Sequence, residues 1–250
     1  MRVVVVGASS GLGRSIGVRL GRQGERVALL ARRRDRLEEA AREGGAGALA
    51  ICCDVTDEKS CQAAIDEAAN ALGGVDGLVY APAVGPLVPI ADVSAETWRR
   101  VFDTNVIGAS LITAAALPHL IESRGMAAYL SSVGGSQTPP WPGLGAYTVS
   151  KAALERLVEA WRVEHPEVGF CRVVVGDTAG GPGPEATEFA NDWDTDLAAE
   201  LMPRWLDRGL MAGSLLDVEE IVRVVRAVLQ TATGASIPSV VITPRPLESQ

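Results

Sequence analysis

The chain has 250 residues, 47% hydrophobic and 22% charged, a composition that buries one sizeable core and predicts a single domain over 1–250. A formal net charge of −8 and a pI near 4.9 argue against a nucleic-acid surface or an anionic membrane as the main partner, which leaves small molecules. The apolar opening MRVVVVG ends at Gly7, too short for a signal peptide or a span; no other stretch is read as reaching spanning length, and a cytoplasmic protein is expected.

Short apolar runs at about 2–6, 26–31, 48–53, 76–81, 126–131, 170–175 and 239–243 read as buried strands. Helical patterns lie between them at 12–23, 34–43, 57–72, 96–122, 147–164 and 217–230, with Thr56, Ser94 and Asp217 placed as caps. Strict alternation predicts an α/β fold of Rossmann type, a doubly wound parallel sheet of about seven strands with helices on both faces. Two segments fit neither pattern: SQTPPWPGLG at 136–145 and the stretch from Gly176 to about Gly213. The second follows a strand, at the sheet edge where ligands bind, and reads as a substrate lid around 177–213.

The first strand runs into GASSGLG, which sets Gly7, Gly11 and Gly13 between strand and helix. Glycines there let backbone approach a pyrophosphate held by the helix N-terminus, although the spacing G-x-x-x-G-x-G departs from G-x-G-x-x-G and glycine also serves ordinary tight turns. After the second strand stand Arg32, Arg33 and Arg34 where an acidic residue would accept from the ribose hydroxyls of NAD. Guanidinium groups suit a 2′-phosphate instead, so Arg32 and Arg33 point to NADP(H); Arg34 carries less of that signal, and the bland reading is a solvated helix start balanced by Asp35, Glu38 and Glu39. Asp54 closes the third strand and either meets the adenine amino group or caps the next turn.

Tyr147 and Lys151 lie four residues apart on one helical face. A positive charge beside a phenol lowers its pKa from about 10 and makes it a usable acid near neutrality. A bare Tyr-x-x-x-Lys is common on helix surfaces, but Ser132 ends a strand fifteen residues earlier, where its hydroxyl can hold a carbonyl oxygen.

GASSGLG at 7–13, CDV at 53–55, FDTNVIG at 102–108, LSSVGG at 130–135 and YTVSK at 147–151, in this order, resemble the short-chain dehydrogenase/reductase family across nearly the whole chain. The resemblance implies Tyr147 as general acid or base, Lys151 as its pKa modifier and ribose ligand, Ser132 as the carbonyl-orienting hydroxyl, and Asn105 in a water-linked relay with Lys151. It extends the cofactor contacts to Ser9, Ser10, Leu12, Val55, Ala81 and Thr178. It also implies a homodimer or homotetramer assembled through the helices at 96–122 and 147–164. The chain departs from the family pattern at Tyr80-Ala81-Pro82-Ala83, where an Asn-Asn-Ala-Gly turn is usual, and at Gly176-Asp177-Thr178, where Pro-Gly is usual.

The resulting expectation is an NADPH-preferring oxidoreductase that interconverts a carbonyl and a secondary alcohol. NAD-dependent alcohol oxidation is the alternative within enzymes, and a nucleotide-sensing regulator the alternative outside them. His119 and His165 are too few for a metal site, and Cys52, Cys53, Cys61 and Cys171 lack metal-ligand spacing and read as reduced core thiols. Trp141, Phe189, Trp193 and Trp205 either line a pocket or serve as core or subunit contacts. The acidic run from Glu185 to Glu200 contains no Lys or Arg and reads as a solvated lid face.

Overall fold

The computed structural model describes residues 1–231 and 234–245. Its strands are β1 (Arg2–Val6), β2 (Arg26–Ala31), β3 (Ala48–Cys52), β4 (Gly77–Tyr80), β5 (Met126–Ser132), β6 (Gly169–Val175) and β7 (Ser239–Ile242). They form one seven-stranded sheet in the order β3-β2-β1-β4-β5-β6-β7, and every pairing is parallel. The strand order reverses between β1 and β4, which opens a crevice beyond their carboxyl ends.

Unbroken valine and leucine runs are what a sheet covered on both faces requires. Strand parity sorts them into two layers. Val4, Val6, Ala28 and Leu30 pack with Ile65, Ile112 and Ala116 on one side, while Val3, Val5, Val27 and Leu29 pack with Ile16, Leu20, Ile221 and Val225 on the other. Burying each large aliphatic side chain contributes about 1.5–3 kcal/mol, so the two layers fix which face each helix covers.

The helices are α1 (Gly11–Arg22), α2 (Arg34–Gly44), α3 (Glu58–Leu72), α4 (Ala95–Phe102), α5 (Gly108–Ser123), α6 (Val133–Ser136), α7 (Gly145–Glu164), α8 (Thr195–Asp207) and α9 (Val218–Leu229). Ser94 and Asp217 cap α4 and α9 as expected. At α3 the cap is Asp57, one residue past Thr56, and it accepts from the Lys59 and Ser60 amides; the Thr56 hydroxyl instead donates to Asp54 at 2.8 Å.

The expected helix at 96–122 is divided by a π-turn, Asp103–Ile107, between α4 and α5. The wider turn directs Asn105 fully into the interior. This region also corrects the expectation about spanning length, because Ala95–Ser123 is long and apolar enough to cross a membrane, with mean hydropathy 1.4 in its most apolar window. In this fold Ile112, Ala116 and Leu120 from α5 are core residues.

Two further differences concern the lid and the thiols. The stretch from Gly176 to Gly213 contains α8, which the sequence pattern concealed because the helix carries Pro203 and buries only Leu201 and Trp205. Cys53, Cys61 and Cys171 are buried, but Cys52 is exposed because adjacent residues at the end of β3 face opposite ways.

Candidate active site

The crevice is a cleft of about 830 Å³. Of the residues singled out in the sequence, Gly7, Ser9, Ser10, Gly11, Leu12, Gly13, Arg32, Arg33, Asp54, Val55, Ala81, Ser132, Tyr147, Lys151 and Thr178 all line it.

One end is built by the turn from β1 into α1. Gly7 has φ +79°, and a Cβ there would lie 2.9 Å from the Pro82 nitrogen; a Cβ on Gly13 would lie 2.4 Å from the Gly7 carbonyl oxygen. Only glycine permits this close turn. No acidic residue stands in the first turn of α1, whose amide groups have no acceptor within the helix and carry the positive end of its dipole. Arg33, at the start of α2, folds its guanidinium back over this loop. Its Nη2 donates to Ser9 Oγ at 2.8 Å and to Ser10 Oγ at 2.9 Å. Arg32 is exposed at the same rim, whereas Arg34 points away and pairs with Glu38 at 3.8 Å.

Asp54 takes the turn-capping role. Its Oδ1 accepts from the Thr56 amide at 3.0 Å and the Thr56 hydroxyl at 2.8 Å. The amide bond from Thr56 is the largest influence on its carboxyl, which lies below the usual range despite partial burial, with Arg32 assisting.

At the opposite end, Ser132 closes β5 and Tyr147 and Lys151 project from α7. Ser132 Oγ accepts from the Gly134 amide at 3.3 Å. Lys151 Nζ donates to the Leu130 carbonyl oxygen at 2.7 Å and lies 5.7 Å from the centre of the Tyr147 ring. Burial pushes the Tyr147 phenol up to about 12, with Ser132 opposing the rise, and lowers the Lys151 ammonium to about 8, with Glu155 opposing the fall. The phenol thus lies above its ordinary value here, whereas the sequence reading expects lysine and bound cofactor to lower it. Desolvation of the phenolate is the leading cause, and the ammonium is held by a backbone carbonyl.

Asn105 lies behind the wall of the cleft. Its Oδ1 accepts from the Val84 amide at 2.8 Å, while Nδ2 donates to the Val84 carbonyl at 2.9 Å and to Ser150 Oγ at 2.8 Å. Ser150 Oγ in turn donates to the Tyr147 carbonyl at 2.7 Å. These side-chain bonds join the loop after β4 to the turn of α7 that bears Tyr147. Tyr80, in the departed motif, is buried and donates to the Thr104 carbonyl, tying β4 to the same π-turn.

The segment after β6 closes over both ends. Phe189 sets its ring 4.7 Å from that of Tyr147 at 60°, and Trp193 packs on Phe189 at 5.5 Å and 72°. Gly85 makes room for this, since a Cβ there would lie 2.1 Å from Phe189 Cζ. Trp141, Phe189 and Trp193 line the cleft, whereas Trp205 is buried beneath them. Thr178 lines the cleft but spends its hydroxyl on the segment itself, donating to the Leu216 carbonyl at 3.3 Å and accepting from the Gly180 amide at 3.1 Å.

A family model described as short chain dehydrogenase matches residues 1–197. The chain belongs to the short-chain dehydrogenase family. Family members are oxidoreductases that use nicotinamide cofactors on small carbonyl and alcohol substrates. The chain is similar to a glycine betaine reductase of Emericella nidulans, with 32% identity over 97% of this chain and 18% of that protein. It is 36% identical to an 11-beta-hydroxysteroid dehydrogenase-like protein of Arabidopsis thaliana over 70% of this chain and 58% of that one. The chain thus spans less than two thirds of either relative. Among solved structures, a short-chain type dehydrogenase/reductase from Mycobacterium marinum superposes with a TM-score of 0.82 at 25% identity, covering 97% of this chain and 93% of that one. An alcohol dehydrogenase from Thermococcus sibiricus shares the fold with a TM-score of 0.80 at 23% identity, covering 99% of this chain and 97% of that one.

Within this short-chain dehydrogenase, sequence reasoning missed Arg36, Glu188 and Thr187 as cleft residues. The acidic run is also less solvated than expected. Glu185 is buried, accepting from Ser15 Oγ at 3.2 Å and Arg19 Nη1 at 2.7 Å, and Glu188 pairs with Arg33 and Arg36. Their partners lie more than a hundred residues earlier, so no local pattern signals them.

Proposed function

We propose that this chain interconverts a carbonyl and a secondary alcohol, with preference for NADP(H). The observation that carries the reading is one cleft with Arg33, Ser9 and Ser10 at one end and Ser132, Tyr147 and Lys151 at the other. The residues fit a phosphorylated dinucleotide: the glycine turn leaves backbone amides at a helix N-terminus for a pyrophosphate, and a guanidinium beside two hydroxyls suits a 2′-phosphate. Arg32 and Arg33 would hold that phosphate, and Lys151 would reach the nicotinamide ribose.

When bound there, the cofactor supplies the hydride in reduction and takes it in oxidation. Tyr147 delivers a proton to the carbonyl oxygen, and burial that keeps the phenol protonated favours this acid role. Ser132 orients the same oxygen and stabilises the charge that develops on it. Lys151 is held in place by the Leu130 carbonyl. Asn105 positions Tyr147 through Ser150, and a water-linked relay toward Lys151 belongs to the same proposal. Phe189 and Trp193 exclude water from the reacting centre.

Relatives named as reductase and as hydroxysteroid dehydrogenase support carbonyl–alcohol chemistry. NADPH oxidation across a panel of aldehydes and ketones tests it: NADPH binding without consumption on any of them points to a nucleotide sensor instead. One observation favours the runner-up, NAD-dependent alcohol oxidation, because Glu188 already pairs with both Arg33 and Arg36. We further place the protein in the cytoplasm as a homodimer or homotetramer. Exposed Ile107 at the end of the π-turn, Ile121 on α5, and Val149 and Val163 on α7 support the association, and a strictly monomeric mass by light scattering at micromolar concentration would reject it.

A further inference from the structure

The pocket formed by Ser9, Ser10, Arg33 and Arg36 is occupied by an anion that belongs to the chain itself. Glu188 Oε2 accepts from Arg33 Nη1 at 2.7 Å and from Ser10 Oγ at 3.1 Å, and Oε1 accepts from Arg36. Arg33 uses its remaining nitrogens on Ser9 and Ser10, so the carboxylate completes the hydrogen bonding of the pocket. Its carboxyl lies below the usual range: desolvation works against the charge, and the bonds from Arg36 and Arg33 overcome it.

Glu188 is delivered there by the segment after β6. An antiparallel bridge pairs Gly180 with Ala186, the Thr187 amide donates to the Ala179 carbonyl at 2.9 Å, and Glu185 anchors the turn on Ser15 and Arg19 of α1. Thr187 lies against the glycine loop, since a Cβ on Gly11 would stand 3.5 Å from its Cα. The next residue, Phe189, is the one seated on Tyr147. The carboxylate is therefore placed by a built turn and not by a free tail.

We propose that Glu188 sets cofactor specificity by competing, as an internal anion, with the 2′-phosphate of NADP(H) for Arg33, Arg36 and Ser10. The inference rests on the reading of Arg33 as a 2′-phosphate ligand and deepens it. A phosphate monoester carries about −1.5 to −2 charges and three acceptor oxygens against one charge and two oxygens on the carboxylate, so it displaces Glu188. The displaced carboxylate loses its ion pairs, which reduces the preference for the phosphorylated cofactor below what two arginines would otherwise give. NAD(H), with a hydroxyl at this position, leaves Glu188 in place and accepts no such cost. Glu188 thus narrows the gap between the two cofactors.

Calorimetric titration with 2′,5′-ADP and 5′-AMP separates the phosphate contribution from hydride chemistry. The protein is compared with Glu188→Gln, which keeps the side-chain size, and with Glu188→Ala. Both variants are expected to bind 2′,5′-ADP more tightly by about tenfold, the scale of two partly exposed ion pairs, with 5′-AMP changed by less than about twofold. Adding Arg33→Ala to Glu188→Gln is expected to remove the gain. An unchanged or weaker 2′,5′-ADP affinity in both Glu188 variants overturns the proposal, as does an equal gain for 5′-AMP. The parent reading is judged separately, by whether the unsubstituted protein binds 2′,5′-ADP more tightly than 5′-AMP. A gain in the variants without that preference upholds the competition while rejecting the NADP(H) reading.

Discussion

The Lys151 ammonium donates its 2.7 Å hydrogen bond to the carbonyl of Leu130 rather than to the phenol of Tyr147 four residues before it. The bond pins the charge to the end of β5, beside Ser132, and leaves the ring 5.7 Å away. The two groups are thus positioned separately, and burial acts on each in opposite directions.

A pH dependence follows. Lys151, lowered to about 8, is charged below that pH and neutral above it, while Tyr147, raised to about 12, keeps its proton throughout. Reduction requires both the charged lysine and the protonated phenol in the proposed mechanism. The kcat/KM for reduction should therefore fall as pH rises through about 8, and Lys151→Met, with far lower turnover, should lack that limb. Stability moves the other way: the folded state prefers neutral lysine, so the cost of burying the charge is full below about 8 and fades toward the ordinary value of 10.5. The Tm of the unsubstituted protein should gain on that of Lys151→Met between pH 7 and 10.

Replacing Tyr147 by Phe removes the transferable proton but keeps the ring against Phe189. Cofactor binding by titration should persist while turnover drops by two or more orders of magnitude, in line with the usual scale of about 10²–10⁴-fold for a general acid. Near-normal turnover in that variant would remove Tyr147 from the mechanism.

The two arginines at the rim should not be equivalent. Arg33 is bonded to Ser9 and Ser10, whereas Arg32 is exposed, so Arg33→Ala should weaken NADPH binding more than Arg32→Ala does. A charged hydrogen bond contributes about 1.5–3 kcal/mol, enough for a loss of tenfold or more. NADH affinity should change little, and added salt should weaken NADPH more than NADH. Parallel titrations at two ionic strengths check all three expectations.

Gly85→Ala tests how the segment after β6 is seated. The added methyl meets Phe189 Cζ at 2.1 Å, and relief requires that ring to leave Tyr147. Overpacking of this kind costs about 1–3 kcal/mol. Limited proteolysis should then cut within 177–213 faster than in the unsubstituted protein, with a lower Tm.

Tyr80→Phe removes the hydrogen bond from the buried phenol to the half-buried Thr104 carbonyl and loosens the π-turn that holds Asn105. Thermal denaturation should show a loss of about 0.5–1.5 kcal/mol. An unchanged Tm would mean that the turn is held by packing alone.

The sequence by itself determined the seven strands, their alternation with helices, and the order in which Gly7, Ser132, Tyr147 and Lys151 reach one edge of the sheet. Periodicity and short spacings carry that information, because apolar runs, capping residues and an i, i+4 pair act over a few residues. The tertiary structure decided what those groups touch. Asn105 reads as one polar residue in an apolar helix, and only the π-turn shows it holding Val84 and Ser150. Helix α8 stayed hidden because Pro203 interrupts its pattern and only Leu201 and Trp205 are buried, under the aromatic cluster, which leaves little apolar periodicity to read. Glu188 looked like one more solvated carboxylate, yet it meets Arg33 across 155 residues of chain. Contacts of that separation depend on how the segment after β6 folds back over the glycine loop, and the same long-range closure seats Phe189 on the Tyr147 ring.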